Sequence, residues 1–267
     1  MTKIGIAGCG RMGGGMLAAL SAAGFNAQGF DVRPLAEFGP RAPLMTNDPA
    51  AFAAGLDTLI TVVRDQPQTE EVLFGAQNFA AQPTLRRIIL CSTLSPRYIR
   101  ALAARLPQHV LIDAPMSGAQ IAADEARLSF MLGGTPSDLD AAQPLFDAMG
   151  AHFHRMGAFG AGMQAKVLNN LLAASHTAMT RLALDWAKTA GLDRAALLRL
   201  MSTSSGQNWF ASGFDTIEFA RDGHAPENTI SILVKDVESA LDAAPPGAET
   251  ALPRAVQAAI RALKPLT

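Results

Sequence analysis

Short apolar runs bounded by Gly, Pro, Asp or Asn recur through the first 160 residues and predict strands at 3–7, 26–30, 58–63, 88–91, 110–112 and 128–132. Between most of them the apolar positions shift to helical spacing. One such stretch covers 12–23 and is stopped by Gly24; another covers 96–105, opened by Ser95 as a cap with Pro96 in the first turn. Alternation of this kind predicts a parallel, doubly wound sheet with crossover helices. Past Gly160 the strand pattern is lost. Residues 163–190 read as one alanine- and leucine-rich helix of about 28 residues, roughly 42 Å long at 1.5 Å per residue. Gly191 ends it, and Asp193 is positioned to cap the next. Helices are also expected over 194–201, 230–243 and 249–263, with Pro245-Pro246-Gly247 breaking the last two apart. The pattern therefore predicts an α/β domain over 1–160 followed by an all-α domain over 161–267, joined by the long helix. His152 and His154 alternate around Phe153 and read as surface residues.

Composition and charge narrow this picture. At 267 residues the chain can bury a sizeable core. With 49% hydrophobic and 17% charged residues it carries more apolar surface than a small monomer needs, so a homodimer or homotetramer is expected. The net charge of -1, without a Lys/Arg cluster, argues against nucleic acid as a partner. The absence of an eighteen-residue apolar run and of a signal-peptide pattern after Met1 predicts no membrane partner and a cytoplasmic location. Cys9 and Cys91 are too few for a disulfide scaffold, and there is no CxxC or histidine cluster to bind a metal.

Chemistry enters at Gly8-Cys9-Gly10-Arg11-Met12-Gly13, which follows the first strand and opens the first helix. Gly8 allows a tight turn, Gly10 lets backbone approach a pyrophosphate, and Gly13 lets helix pack on strand, while the helix amides face the phosphates. This is the fingerprint of a Rossmann-type dinucleotide site. Asp31 follows the second strand about twenty residues on, where a carboxylate accepts from both ribose hydroxyls and repels a 2′-phosphate. That favours NAD, although Arg33 could bind such a phosphate and keeps NADP open. Farther along, Gly160-Ala-Gly162-Met-Gln-Ala-Lys166-Val-Leu-Asn169-Asn170 places an amine and an amide four residues apart, on one helix face. Solvated helix faces show the same spacing. The glycine pair before them would let chain or ligand come close.

Taken together these residues resemble the β-hydroxyacid dehydrogenase family, which includes 3-hydroxyisobutyrate dehydrogenase and tartronate semialdehyde reductase. Four ordered blocks carry the resemblance across most of the chain. Gly8 to Met16 is similar to the family's GxGxMGxxM opening. Asp113-Ala-Pro-Met-Ser117-Gly118-Ala119 is similar to its DAPVSGG motif, preceded by an STxxP-like Cys91-Ser92-Thr93-Leu-Ser-Pro96. Gly160 to Asn170 is similar to GxGxxxKxxxN, and Leu233-Val-Lys235-Asp236-Val237 to its KDL segment. The resemblance implies that Ser117, Gly118 and Ala119 hold a substrate carboxylate, and that Lys166 moves the proton of the reacting oxygen. Asn170 would hold that oxygen or the carboxylate. A lysine at its ordinary value near 10.4 is a poor base at neutral pH, so this role requires burial. Lys235 is expected beside the nicotinamide, with Asp236 either paired to it or capping structure. Thr93 would touch substrate and cofactor, and Gly8, Gly10, Arg11, Met12, Gly13, Asp31 and Arg33 would hold the dinucleotide. Trp209 and Phe210 could wall the pocket or belong to the core.

The implied activity is hydride transfer between NAD(P) and a short 3-hydroxy acid or its semialdehyde. Two other readings remain at this point: a non-catalytic NAD(H) sensor, and an imine reductase, a class that usually replaces the lysine with Asp or Tyr. Ala119 stands where the family motif has its second glycine, and Glu125-Ala126-Arg127 where it shows Ala-Gly-Thr. A GxxDxS-like tail common in the family is not found before Thr267, so its contacts are expected to be missing or supplied otherwise.

Overall fold

Strand and helix alternate from the start: β1 (Lys3–Ala7), α1 (Arg11–Ala22), β2 (Ala27–Phe30), β3 (Met45–Thr46), α2 (Pro49–Ala53), β4 (Leu56–Thr61) and α3 (Gln66–Leu73). Then come β5 (Arg87–Leu90), α4 (Pro96–Arg105), β6 (Val110–Asp113), β7 (Met116–Ser117), α5 (Ala119–Asp124), β8 (Leu128–Gly133), α6 (Pro136–Met149) and β9 (Gly150–Gly157). Helices follow: α7 (Ala161–Thr189), α8 (Arg194–Thr203), α9 (Trp209–Ser212), α10 (Thr229–Asp242) and α11 (Ala251–Arg261). The computed structural model describes residues 2–226 and 228–266. Among them no helix is long and apolar enough to cross a membrane.

Local chemistry explains most helix starts. Asp48, Asp65, Ser95 and Thr135 each accept a backbone N–H from the first turn of α2, α3, α4 and α6, and each of these helices has proline in its first two positions. Asp193 caps α8 in the same way, accepting from Ala196 N at 2.8 Å. Gly191, at φ +74°, ends α7 in the left-handed conformation that glycine adopts without penalty.

The sheet runs in the order β3-β2-β1-β4-β5-β6-β8-β7, with β9 on the other side of β8. From β3 to β6 every pairing is parallel. The sheet is parallel in the main, as the alternation predicts, and the exception is β8, which runs antiparallel to β6 and β7 but parallel to β9. The connection between β7 and β8, residues 118–127 with short α5 inside it, falls short of the crossover of a dozen or more residues that parallel strands need. Successive residues of the central strands feed opposite cores. Ile60, Ile89 and Ile112 pack with Leu17, Leu20 and Phe146 on one face. Leu59, Ile88 and Leu90 pack with Phe52, Ile99 and Leu102 on the other. Burial on both faces is why these strands read as continuous apolar runs. β3, β7 and β9 escape the sequence pattern, the first two because they are two residues long and β9 because it is largely exposed. β4 lies two residues earlier than expected; Val62 follows it and still donates its N–H to Ala7 O at 2.8 Å. The expected helix at 249–263 is shorter at both ends, since Glu249 lies outside it and accepts the N–H groups of Ala251 and Leu252.

The chain divides into two compact units, one ending at Lys166 and the other beginning at Val167, within the length of α7. The second unit is helical. Ala174 and Ala178 of α7 pack with Ile230, Leu233 and Val237 of α10 and Ile260 of α11, and Leu184 packs with Phe210 and Phe214. Arg181 is almost fully buried beside these cores. It donates to the carbonyls of Ala220 (2.9 Å), Asp222 (2.7 Å) and Lys264, which ties two loops to α7.

Candidate active site

In the parallel part of the sheet the strand order reverses direction at β1, between β2 and β4, and ligands of such sheets bind outside the strand ends at that point. The glycine turn after β1 lies there. Gly8 has φ +92°, and a Cβ on it would lie 2.7 Å from the Val62 carbonyl oxygen; one on Gly13 would lie 2.0 Å from the Gly8 carbonyl oxygen. Both glycines are demanded by the fold itself. Gly10 differs, because a Cβ there would meet nothing within 4 Å. It is the N-cap of α1, whose first turn holds no acidic residue, so the positive end of the helix faces open space. Arg11 is exposed and Met12 half-buried at the same helix start.

Asp31, buried just past β2, accepts the N–H of Cys9 at 3.0 Å and the N–H of Arg33 at 3.2 Å. The Arg33 guanidinium reaches both of its oxygens, at 3.0 and 3.1 Å, and lies 4.6 Å from the Phe38 ring centroid. Burial alone would push the Asp31 carboxyl up. The hydrogen bonds from Arg33 and Cys9 outweigh it and hold the group below the usual carboxylate value. An open glycine turn beside an ionised carboxylate fits a dinucleotide.

The second set of residues surrounds the start of α7. Lys166 is only 8% exposed, and its Nζ donates to Ser117 Oγ at 2.9 Å. Ser117 is held at the end of β7, opposite Ser129 of β8. Asp113, at the end of β6, has no exposure and accepts Gly160 N–H at 2.7 Å and Met163 N–H at 2.5 Å. Burial pushes the Asp113 carboxyl up, against the pull of those amides. Gly118 and Ala119 are exposed next to Ser117, at φ +136° and +56°. Ala126 has φ +52°. At both departures from the family pattern, then, alanine occupies a left-handed position suited to glycine. Thr93 is half-exposed in the loop between β5 and α4. The buried hydroxyls of Ser92 beside it and of Thr61 at the end of β4 make no hydrogen bond; Ser92 lies in the STxxP-like block without an assigned role, and Thr61 lies in no matched block.

In the second unit, Asn170 donates through Nδ2 to Asp236 Oδ2 at 2.6 Å, and Lys235 Nζ lies 3.8 Å from Asp236 Oδ1. Sequence reasoning left Asp236 between pairing with Lys235 and capping structure. It missed the contact with Asn170, 66 residues away, and only the shared presence of both residues in matched blocks could have hinted at it. Asn169 is exposed, with Nδ2 3.4 Å from Asn170 Oδ1. Phe210 is core, whereas Trp209 is half exposed.

Both units of the chain match known proteins. Residues 3–159 match the family described as the NAD binding domain of 6-phosphogluconate dehydrogenase. Residues 160–265 match the one described as the NAD-binding domain of NADP-dependent 3-hydroxyisobutyrate dehydrogenase. The chain is 32% identical over 248 residues to L-threonate dehydrogenase of Cupriavidus necator, covering 91% of this chain and 83% of that protein. It is 33% identical over 217 residues to NAD-dependent L-serine dehydrogenase of Pseudomonas aeruginosa, covering 78% and 72%. Among solved structures it superposes on Mycobacterium tuberculosis 3-hydroxyisobutyrate dehydrogenase with L-serine at a TM-score of 0.79, with 27% identity, covering 99% of this chain and 96% of that one.

Proposed function

The chain belongs to the β-hydroxyacid dehydrogenase family, and on that premise we propose that it interconverts a short 3-hydroxy acid and its semialdehyde with Lys166 as proton-transfer group. The observation that carries this is the buried Lys166 amine, 2.9 Å from Ser117 Oγ. Burial is the condition on which the role of a lysine as base depends. The nicotinamide supplies the acceptor or donor of the hydride. In the oxidative direction Lys166 removes the hydroxyl proton; in the reductive direction it returns a proton to the carbonyl oxygen, and its positive charge stabilises the alkoxide. Ser117 and the amides about Gly118 and Ala119 hold the substrate carboxylate, supported by the exposure of that turn. Asn170, one helical turn beyond Lys166 along α7, holds the reacting oxygen or the carboxylate; its tie to Asp236 uses one N–H of the amide and leaves the second to donate to that oxygen. Thr93 and Lys235 are assigned to the nicotinamide end.

Lys166→Met is expected to lower kcat by orders of magnitude with NAD affinity nearly kept. Retained turnover sinks the assignment. The substrate is sought with 3-hydroxyisobutyrate, L-serine, L-threonate and short semialdehydes, each run with NAD and NADP. Asp31, ionised and already pairing Arg33, favours NAD in that panel.

The same reading includes self-association. Leu172, Met179, Leu182 and Trp186 of α7 are exposed, Trp186 by 70%, at helical steps that leave a long apolar stripe. A second copy of this chain covers it. Light scattering is expected to give a dimer or tetramer, and Trp186→Glu to weaken it; a monomer at micromolar concentration contradicts the proposal.

A further inference from the structure

We infer that Asp113 is a positioning residue for the reaction: its buried carboxylate locks the first turn of α7 and so sets where Lys166 meets Ser117. The inference rests on the role given to Lys166 above.

One five-residue segment, Asp113 to Ser117, meets the start of α7 at three points. Asp113 Oδ1 takes Gly160 N–H, its Oδ2 takes Met163 N–H, and Ser117 Oγ takes the Lys166 ammonium. The segment is itself held on both sides, because Ala114 N–H bonds Leu90 O at 2.8 Å and Met131 N–H bonds Pro115 O at 2.9 Å. Its two ends therefore cannot drift apart. Met163 and Lys166 are three residues apart on one helix, so a shift of the first turn carries the amine with it.

Packing closes the remaining freedom. A Cβ on Gly162 would lie 2.2 Å from the Met131 carbonyl oxygen and 3.0 Å from the Asp113 carbonyl oxygen, and one on Gly133 would lie 2.0 Å from Asp113 Oδ1. The helix start thus sits in contact with β6 and β8 with no room for a methyl group. Both carboxylate oxygens are needed, since each holds a different amide. An asparagine keeps one acceptor and turns an N–H₂ toward the other amide. A serine or threonine cap offers one oxygen and avoids burying a charge; the carboxylate offers two and holds two amides at the positive end of a 29-residue helix. The raised Asp113 ionisation agrees with a group kept there at some cost.

The test uses the full chain, assayed with NAD and each of L-threonate, L-serine and 3-hydroxyisobutyrate. Asp113→Asn is expected to lower kcat by about 10- to 100-fold, the penalty of displacing a catalytic group by an ångström or less. NAD affinity, read from fluorescence, should stay within about twofold of wild type because no cofactor contact is touched. The ionisation that governs kcat is also expected to move, since the amine no longer meets Ser117 as before. An unchanged kcat and pH profile overturn the inference. Should Asp113→Asn not fold, Gly162→Ala carries the test: it displaces the same helix turn without altering any polar group, and must reproduce the kcat loss and the pH shift. A Lys166→Met enzyme that still turns over removes the proton-transfer reading whatever Asp113 does. An inactive Lys166→Met beside an unaffected Asp113→Asn removes only the positioning role.

Discussion

At Gly10 an added side-chain carbon would meet nothing within 4 Å, whereas at Gly162 it would lie 2.2 Å from a backbone oxygen. Both glycines belong to a GxG that opens a helix, and in each case an aspartate at or just past a strand end accepts amides from the turn. Asp31 takes Cys9 N–H and Asp113 takes those of Gly160 and Met163. The likeness ends with the surroundings. Asp31 has a guanidinium on it and is held below the usual carboxylate value, while Asp113 has no exposure and is pushed above it. One turn leaves space for an anionic ligand; the other spends its glycines on bringing chain against chain. The same local grammar therefore builds a binding surface in one place and a rigid mount in the other, and what differs is the neighbour.

The comparison predicts unequal costs. Gly162→Ala should destabilise the fold by about 1–3 kcal/mol, the usual penalty of overpacking, measured by urea denaturation. NAD affinity should be kept. Gly10→Ala should do the reverse, leaving stability nearly intact while weakening NAD about tenfold, or roughly 1.4 kcal/mol, by calorimetry. Equal effects on stability would erase the distinction between the two turns. Smaller changes are expected at Ala119 and Ala126. Replacing either with glycine relieves a left-handed alanine and should stabilise by up to about 1 kcal/mol, less the entropy that glycine loses on folding. A loss on Ala126→Gly would count against strain there.

The smallest effects are in pH dependence, and the two aspartates should differ in sign. Asp31 titrates lower in the fold, so its stabilisation is present above the ordinary value of 3.8 and is lost as pH falls through its depressed value. Asp113 titrates higher, so its contribution is full below 3.8 and is lost as pH rises through its raised value. Denaturation of wild type and Asp31→Asn across the acid range should show their gap closing as pH drops. A gap that widens contradicts the Arg33 pairing.

Much of this was legible before any coordinates. Ser95-Pro96 marked the start of α4, Gly191 and Asp193 the gap between α7 and α8, and the glycine fingerprint the tight turn at Gly8 after β1. These signals act over a few residues, through caps and backbone conformations that depend on side-chain type alone. The antiparallel β8, the exposed β9 and the partner of Asn170 were not legible. Each depends on what a segment lies against, and exposed or two-residue strands leave no periodicity to read.

The amino-acid sequence by itself determined the alternation of the main strands and helices, the glycine turn after β1, the family and the residue types able to do the chemistry, because those follow from local geometry and from motifs in fixed order. Only the tertiary structure decided that Lys166 is buried against Ser117, 49 residues away, and that Asp113 reaches 47 and 50 residues ahead to hold the helix that carries it. The reason is physical. Burial and long-range hydrogen bonds exist only once the loops between such residues have closed, and it is those contacts that set the surroundings of an amine on a helix.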